Sequence, residues 1–266
     1  MHIVVLLKQV LDPEIPARAF QVSRAKKAPE IQRPAYVMSI FDGNALEVAL
    51  KLREAKGSGV TITALTLGEK GAEDVLRKAL ALTVDNAVLL SDPAFSALDS
   101  LGKARVLAAA IRQLSGADLV LAGRQAADWE AGQVGSLVAE ELGWPCVAFV
   151  SRITPEGEGL SLRRELDDGY QTIRTSGSTV LTITNDESNV LRFPKIRDVM
   201  LSSRKPITTL DAAKLGLSAS ELADPAVEVV DLYVPEQPKH AEMIEGETAQ
   251  DRARALARRL RELNVI

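Results

Sequence analysis

The sequence has few of the side chains that carry acid–base, thiol or metal chemistry. Its 266 residues include two histidines and one cysteine. His2 and His240 lie near the chain ends or in an arm, so neither a Ser-His-Asp triad nor a histidine-based metal site is expected. The lone Cys146 excludes an internal disulfide and is predicted to be a small buried side chain. We therefore expect no catalytic residue of the chain's own and no bound metal.

Long apolar runs and a strong excess of either charge are also missing. Charged residues interrupt every apolar stretch, which argues against direct insertion into a membrane. The net charge of -4 argues against nucleic-acid binding, because nucleic-acid binders are usually basic. The N-terminus enters an apolar strand pattern at once, without a signal peptide. Together with the single cysteine, this predicts a cytoplasmic location.

Apolar strands alternate with amphipathic helices in the first half of the chain. Strands are predicted at residues 3–7, 60–67, 86–90 and 118–122, and helices at 44–56, 72–82, 100–114 and 133–142. This alternation predicts an α/β fold with a doubly wound, mostly parallel, Rossmann-like sheet. The loops that follow the strands of such a sheet line one crevice.

From residue 148 the pattern changes to short strands separated by turns. These strands are predicted at 150–154, 160–164, 170–175 and 179–184. A β-hairpin excursion is predicted at 17–34, a short helix at 194–201 and further short pieces at 211–215 and 220–223. An extended, proline-containing arm at 233–239 precedes a charged helix at 249–263.

The most informative segment is 118–145, which reads DLVLAGRQAADWEAGQVGSLVAEELGWP. It predicts a buried strand, a glycine-containing loop and a helix. A loop that ends at a helix N-terminus presents free N–H groups and the positive end of the helix dipole, which suit a phosphate. The loop is neither a Walker A motif nor a GxGxxG motif. It indicates nucleotide binding without phosphoryl transfer, although some strand-to-helix loops bind nothing.

The same segment resembles the β subunit of electron transfer flavoproteins, whose nucleotide loop has the form G-[KR]-Q-A-x-D followed by Q-[TV]-G. The matching residues are Gly123, Arg124, Gln125, Ala126, Asp128, Gln133, Val134 and Gly135. Further matches are IVVLLKQVLDPE, FDGNALEVALKLRE, RKALALTVDNAVLL and RRELDDGYQTIR. The ordered set covers nearly the whole chain and is specific, although each motif alone is weak.

The resemblance implies a sheet like that of the adenine nucleotide alpha hydrolases, with AMP bound deep in the fold. It implies a heterodimer in which the larger alpha subunit holds FAD. The cofactor-binding residues that it implies here are Leu6, Leu7, Lys8, Ser39, Ile40, Phe41, Asp42, Leu67, Gly123, Gln125, Asp128, Gly132, Gln133, Val134, Gly135 and Ser136. We expect a nucleotide-binding domain at 1–190, and a partner-recognition loop with a C-terminal arm at 191–266.

Several of these residues also have a structural explanation that needs no bound cofactor. Leu6, Leu7 and Leu67 are also expected of a sheet core. The family's Asn-Pro-Phe is replaced by Ser39-Ile40-Phe41, a loop that we expect to precede the helix at 44–56. Asp128 and Gln133 would orient the loop or bond a ribose, or serve as ordinary polar and capping residues. Gly135 is expected to permit close approach of a phosphate.

The resemblance also implies residues that contact partners. Glu165 matches an acid that touches the mobile flavin domain of the partner, and it is alternatively a solvated hairpin charge. Phe193 and Pro194 match the loop that anchors the family to dehydrogenases, and Phe193 is alternatively a buried aromatic. The implied partners are the alpha subunit, acyl-CoA or related dehydrogenases, and indirectly a membrane-associated quinone-linked acceptor.

Two other functions remain open from the sequence. A bifurcating relative would carry a second FAD, reduced by NADH, where AMP otherwise sits. A stand-alone adenine-nucleotide sensor would share the α/β fold without a flavin-bearing partner. In the leading interpretation the chain is an electron-carrier subunit without catalytic residues, which fits electron transfer by a flavin.

Overall fold

The computed structural model describes residues 1–218, 222, 225–235 and 241–266. The strands are β1 (His2–Leu7), β2 (Gln9–Leu11), β3 (Gln21–Ser23), β4 (Ala28–Glu30), β5 (Tyr36–Met38), β6 (Thr61–Leu67), β7 (Asn86–Leu90), β8 (Ala117–Gly123), β9 (Cys146–Glu156), β10 (Gly159–Leu166), β11 (Gly169–Thr175), β12 (Thr179–Ile183) and β13 (Thr208–Leu210). The α-helices are α1 (Ile40–Lys56), α2 (Glu73–Ala81), α3 (Ser100–Gln113), α4 (Val134–Leu142), α5 (Ile196–Ser202), α6 (Ala212–Leu215) and α7 (Ala249–Glu262).

Nine strands form the central sheet in the order β11-β10-β9-β12-β8-β1-β6-β7-β13. Every pairing from β9 to β13 in this order is parallel, and the β9–β10 and β10–β11 pairings at the other edge are antiparallel. The pairs β2–β5 and β3–β4 form two small antiparallel sheets. The predicted α/β class with a mostly parallel sheet is confirmed.

The core lies on both faces of the sheet, as the alternation along β1 shows. Ile3 and Val5 pack into a cluster with α1 and α2, whereas Val4 and Leu6 pack into a second cluster with α3 and α4. A central parallel strand must bury both faces, which explains the unbroken apolar run of β1. The fold is therefore doubly wound, with two helical layers.

Helix α1 begins at Ile40 and not at residue 44, so the predicted boundary was wrong. Ser39 has an extended backbone (φ -51, ψ 133), and its carbonyl accepts the N–H of Gly43 at 2.9 Å. Ile40, Phe41 and Asp42 consequently lie in the first helical turn and not in a loop before the helix. Their side chains are fixed by the helix at the edge of the crevice.

Cys146 is exposed, and its predicted burial was wrong. It is the first residue of β9, where the strand has only begun to enter the sheet, and its Sγ lies 3.9 Å from Ser136 Oγ. The short strands β2, β5 and β13 were not predicted. Of the predicted piece 220–223 only Leu222 is described, and positions 236–239 of the predicted arm lie outside the described residues.

After β12 the chain crosses the face formed by α1 and α2 and joins the opposite edge of the sheet. Leu191 packs against the α1 and α2 cluster, and the Arg77 guanidinium of α2 donates to the carbonyls of Ser202 and Lys205 at 2.9 and 2.5 Å. Strand β13 then pairs with β7. The region 191–266 thus contributes an edge strand to the sheet, and the boundary at 190/191 stays a prediction.

The described part of the C-terminal arm contacts the β3–β4 hairpin through surface charges. Arg24 pairs with Asp231, and Lys27 lies 3.3 Å from Glu228. Helix α7 starts with a capping box between Thr248 and Asp251 and buries none of its residues. Its apolar side is therefore only partly covered by the described part of the chain.

Candidate functional site

The winding of the chain reverses between β1 and β8, which are adjacent and parallel. The connection after β1 runs through α1 on one face, and the connection after β8 runs through α4 on the other. In open α/β sheets the crevice at such a switch point, outside the carboxyl ends of the strands, is the usual place for a ligand. Lys8 and Arg124 stand at this crevice because each follows the end of one of the two strands.

Asp42 joins the two strand ends across the crevice. Its Oδ2 accepts the N–H of Lys8 at 2.8 Å, and its Oδ1 accepts the N–H of Gly123 at 3.1 Å. Burial raises the pKa of this carboxyl to about 7, against the lowering effect of the two N–H bonds and of the Lys8 charge. The Gly123 N–H is therefore engaged within the protein and is not free for a phosphate.

Asp128 ties the β8–α4 loop (residues 124–133) to the end of β1. Its carboxylate pairs with the Lys8 ammonium at 2.7 Å and accepts the N–H of Trp129 at 2.9 Å. These residues are far apart in the sequence and meet only because β1 and β8 are neighbours. The structure thus places Asp128 where it orients the loop.

The N-terminus of α4 supplies the free N–H groups of the crevice. Gly132 has a φ of +64, which favours glycine, and Gln133 precedes the helix without a side-chain capping bond. The first N–H groups of a helix have no partner within the helix, so those around Val134 to Ser136 are available to an anion. The amides of Gln125 and Gln133 make no hydrogen bond with the described residues, and they are also available.

Two glycines of the motif are explained by close packing inside the protein. A Cβ on Gly123 would lie 2.5 Å from Asp42 Oδ1 and 2.7 Å from Phe41 Cβ. A Cβ on Gly135 would lie 2.6 Å from Thr182 Cγ2 of β12. The absence of a side chain at Gly135 is therefore explained by its packing against the sheet, and the approach of a phosphate to this position stays a prediction.

The other predicted residues divide between the core and the crevice rim. Leu6 and Leu7 pack into opposite core clusters, and Leu67 packs partly buried against the α3 and α4 side. Their side chains belong to the sheet core, as the simpler explanation held. Ile40 is largely exposed at the start of α1.

Buried polar groups also lie at this end of the sheet, and two of them, on Thr66 and Arg124, were not among the predicted cofactor-binding residues. The Arg124 guanidinium stacks over the Phe41 ring at 4.9 Å, which links the loop to α1. Ser39 Oγ, Thr66 Oγ1 and Arg124 Nε are buried without a hydrogen-bond partner among the described residues. Buried polar atoms are normally bonded, so these three fit a site that receives a polar ligand or water. Ser39 was predicted, Arg124 had a signal as part of the motif, and Thr66 had none.

Two pockets of the described structure lie away from this crevice. One of about 330 Å³ is lined by residues around Glu156 and Arg174, and one of about 290 Å³ by residues around Lys51 and Asn189. Neither includes a predicted cofactor-binding residue. The nucleotide assignment therefore depends on the groups that converge at the strand ends.

A second region, the docking segment (residues 190–201), exposes a run of apolar side chains. Phe193 is 95% exposed and Ile196 83% exposed, so the alternative of a buried Phe193 is wrong. Exposed apolar neighbours are Val190, Val199, Met200 and Leu201. Pro194 directly precedes the residue at the N-cap of α5. The sequence prediction included Phe193 and Pro194 but missed Ile196 and Met200, whose exposure only the fold reveals.

Arg192 fixes the docking segment to α1. Its guanidinium donates to Glu47 at 2.7 Å and bonds Glu54, and its backbone N–H donates to Glu47 at 3.1 Å. These carboxylates hold the pKa of Arg192 above its ordinary value. The bidentate pairing keeps the neighbouring Phe193 pointing away from the fold.

Glu165 lies in the hairpin β9–β10–β11 and is held by its neighbours. Arg163 pairs with it at 3.0 Å, and the hydroxyl of Ser151 donates to it. Arg163 in turn stacks over Tyr170 at 4.3 Å. The acid is thus oriented on the hairpin surface, where it remains accessible to a partner.

Neither a metal-binding cluster nor a membrane-spanning helix is present within the described ranges. There, no three residues among His, Cys, Asp and Glu are placed to hold a metal ion. No described helix combines the length and apolar character needed to cross a bilayer. His2 lies in β1 with its Nε2 2.8 Å from Thr63 Oγ1, and His240 lies outside the described residues.

Comparisons with known proteins agree with this arrangement. The family model described as "Electron transfer flavoprotein domain" matches residues 31–215. The electron transfer flavoprotein subunit beta of Thermoanaerobacterium thermosaccharolyticum is 34% identical over the full length of both chains. That of Megasphaera elsdenii is 37% identical over 83% of this chain and 84% of its own. A caffeyl-CoA reductase-Etf complex subunit, CarD, of Acetobacterium woodii is 34% identical over 86% and 88%.

A doubly wound sheet with a loop-and-helix crevice at its switch point defines an open α/β protein whose ligand site is expected outside the carboxyl ends of the strands. Within that class, the chain belongs to the electron transfer flavoprotein family, as a subunit of the beta type. The resemblance read from the sequence motifs is therefore confirmed, and with it a flavin-dependent role in electron transfer.

Proposed function

We propose that the chain is the small subunit of a heterodimeric electron transfer flavoprotein, and that it binds AMP at the β1–β8 crevice. The observation that carries this proposal is the convergence of the β8–α4 loop with the free N-terminus of α4 at the switch point. A phosphate fits the N–H groups near Val134 to Ser136, with Gln125 and Gln133 as side-chain donors. Ser39 and Thr66 offer hydroxyls on the α1 side.

The larger alpha subunit would hold FAD, which accepts two electrons and releases them singly. This chain would supply no acid, base or nucleophile to that chemistry. It would instead hold the partner through the α7 side of the C-terminal arm, where none of the helical residues is buried. Electrons would come from acyl-CoA or related dehydrogenases at the docking segment and leave to a downstream, quinone-linked acceptor. The location is proposed to be cytoplasmic.

A second candidate is a beta subunit that carries another FAD in place of AMP. Residues Asn44 to Glu47 and Gln133 to Gly135 suit this arrangement as well as AMP binding. A stand-alone nucleotide sensor is less favoured, because the docking segment and α7 both present exposed apolar side chains.

The test is native mass spectrometry of the chain co-expressed with the larger subunit encoded beside it or elsewhere in the same genome, combined with flavin absorbance. A heterodimer with one FAD and one AMP supports the proposal. Two FAD molecules and no AMP support the second candidate. Nucleotide on an isolated chain that never binds the larger subunit would support the sensor and contradict the heterodimer.

A further inference from the structure

Among the described residues, the cation Lys103 makes no ion pair. Lys103 lies in the first turns of α3, and its side chain is half-buried. Its ammonium makes no hydrogen bond or ion pair with any residue that the structure describes. Lys8, in contrast, is neutralised by Asp128 at 2.7 Å.

Helix α3 follows β7, whose carboxyl end lies at the same edge of the sheet as those of β1 and β8, and α3 packs on the same face as α4. Lys103, in the first turns of α3, therefore lies towards the crevice edge of the sheet. Burial lowers the pKa of Lys103 first, and the positive charge of Lys8 lowers it further, while Asp128 and Asp99 act in the opposite direction. Lys8 and Asp128 are the pair that joins the β8–α4 loop to β1. Lys103 is therefore close enough to that pair to feel both charges, on the side of the sheet that α3 shares with α4.

The described carboxyl groups of the crevice do not neutralise the charge of Lys103. Asp99 caps α3 by accepting the N–H of Gly102 at 2.8 Å, and it also accepts the N–H of Val227 at 3.1 Å. Asp128 is engaged by Lys8, and Asp42 is partly protonated near neutral pH. A half-buried ammonium beside a second cation is unfavourable by itself, and an anion placed there relieves it.

On the basis of the proposed nucleotide site, we propose that Lys103 binds a phosphate oxygen of the bound nucleotide. This phosphate is the one that lies at the N-terminus of α4. The ligand class is a nucleoside phosphate, and Lys103 recognises its charge and not its base or ribose. The N–H groups of α4 fix the position of the phosphate, and Lys103 adds a second positive charge, from α3, to that of Arg124 in the loop.

The matched variants are Lys103→Met, Lys103→Arg and Lys78→Met. Lys103→Met keeps the length of the side chain and removes the charge. Lys78→Met removes the same charge from the exposed side of α2. Lys103→Arg retains the charge. The heterodimer, dialysed against nucleotide-free buffer, is titrated by calorimetry with AMP and with adenosine at two KCl concentrations.

We expect Lys103→Met to weaken AMP binding about tenfold and to leave adenosine binding unchanged. The AMP affinity of the wild type should fall more with KCl than that of Lys103→Met. Lys103→Arg should keep most of the AMP affinity, and Lys78→Met should match the wild type.

An unchanged AMP affinity in Lys103→Met would overturn the role of Lys103, as would an equal loss for AMP and adenosine. If Lys103→Met does not fold, Lys103→Gln is subjected to the same comparison. If the wild-type complex prefers AMP to adenosine and the Lys103 variants bind AMP with the same affinity, the proposed nucleotide site is supported and only the role of Lys103 is rejected. A wild-type complex that binds neither ligand would reject both.

Discussion

Asp42 is a single residue that connects β1, β8 and α1 through one buried carboxyl. Its position could be predicted as part of the family motif, but its bonds could not. The N–H groups of Lys8 and Gly123 come from strands that are distant in the sequence, and only their pairing brings both within reach of one side chain. The same holds for the Lys8–Asp128 pair.

Asp42 should make the stability of the chain depend on pH. Its pKa is raised from the ordinary 3.8 to about 7, so the folded chain retains a proton that the unfolded chain has lost. The stabilisation from the protonated form is complete below about pH 4 and is lost as the pH rises through about 7, by at most about 1.4 kcal/mol per pH unit.

This effect is measured by denaturant unfolding of wild type and Asp42→Asn. The pH range is 4.5 to 8, which is roughly the window between the two pKa values. The stability of the wild type relative to the variant should decrease as the pH rises. Asp85→Asn is the control, because Asp85 also accepts a strand N–H, from Ile62 at 2.8 Å, but is 45% exposed. Parallel pH curves for wild type and Asp42→Asn would contradict the assignment.

Gly135 allows a test of close packing between α4 and β12. Alanine usually stabilises a helix by about 1 kcal/mol relative to glycine, but overpacking costs about 1–3 kcal/mol. Since the added Cβ would lie 2.6 Å from Thr182 Cγ2, we expect Gly135→Ala to lower the free energy of unfolding.

The variant Thr182→Ser removes Cγ2 and keeps the hydroxyl that accepts the N–H of Phe149 at 3.2 Å. In this background Gly135→Ala should be neutral or stabilising, as measured by denaturant unfolding of all four chains of the cycle. An equal loss in both backgrounds would show that the cost does not come from Thr182. The sequence indicates that glycine is needed at 135, but the partner atom is visible only in the fold.

At the scale of elements, the docking segment shows that the periodicity of apolar residues predicts a helix but does not predict which of its residues are exposed. The short helix predicted at 194–201 corresponds to α5 at Ile196–Ser202. Which apolar residues face solvent depends on the packing of Leu191 and the pairing of Arg192 with α1, and neither follows from local sequence. The start of α1 was missed for a similar reason, because Ser39 caps the helix through its backbone only.

Phe193 and Ile196 are expected to anchor a dehydrogenase. Each alanine variant should raise the half-saturating dehydrogenase concentration for flavin reduction, by up to about thirtyfold for an interface residue contributing about 2 kcal/mol. Flavin and nucleotide content should not change. The melting temperature should change little, because both side chains are almost fully exposed.

Val227→Ala is a suitable control, because Val227 is also exposed but lies in the C-terminal arm outside the docking segment. A marked fall in melting temperature for Phe193→Ala, with unchanged half-saturation, would remove Phe193 from the docking surface.

For the whole molecule, the class of fold follows from the alternation of strands and helices, but the strand order does not. Strand β12 inserts between β8 and β9, and β13 returns to the far edge beside β7. These placements depend on contacts between segments distant in the sequence. The three-residue strand β13 carries too little periodicity to be predicted from local pattern.

Removal of residues 248–266 tests the arm as the site of heterodimer formation. Helix α7 has no buried residue, so the truncated chain should retain its unfolding free energy within about 0.5 kcal/mol, the usual range for exposed changes. Its retention of the larger subunit during size-exclusion chromatography should be clearly reduced. A truncated chain that elutes as a full-strength heterodimer would place the partner contact elsewhere.

The crossing from β12 to β13 has a consequence for the kinetics of recognition. The chain enters the sheet on both sides of the docking segment, at β12 and at β13, and hydrogen bonds at Arg192 and Ser202 tie it to α1 and α2. We therefore expect the docking segment to sample few conformations before a partner arrives. Little conformational entropy is then lost on contact, since the segment is already ordered. An electron carrier must also leave its donor after each transfer. A rigid, small apolar contact meets both demands, because it can form without a folding step and break without one.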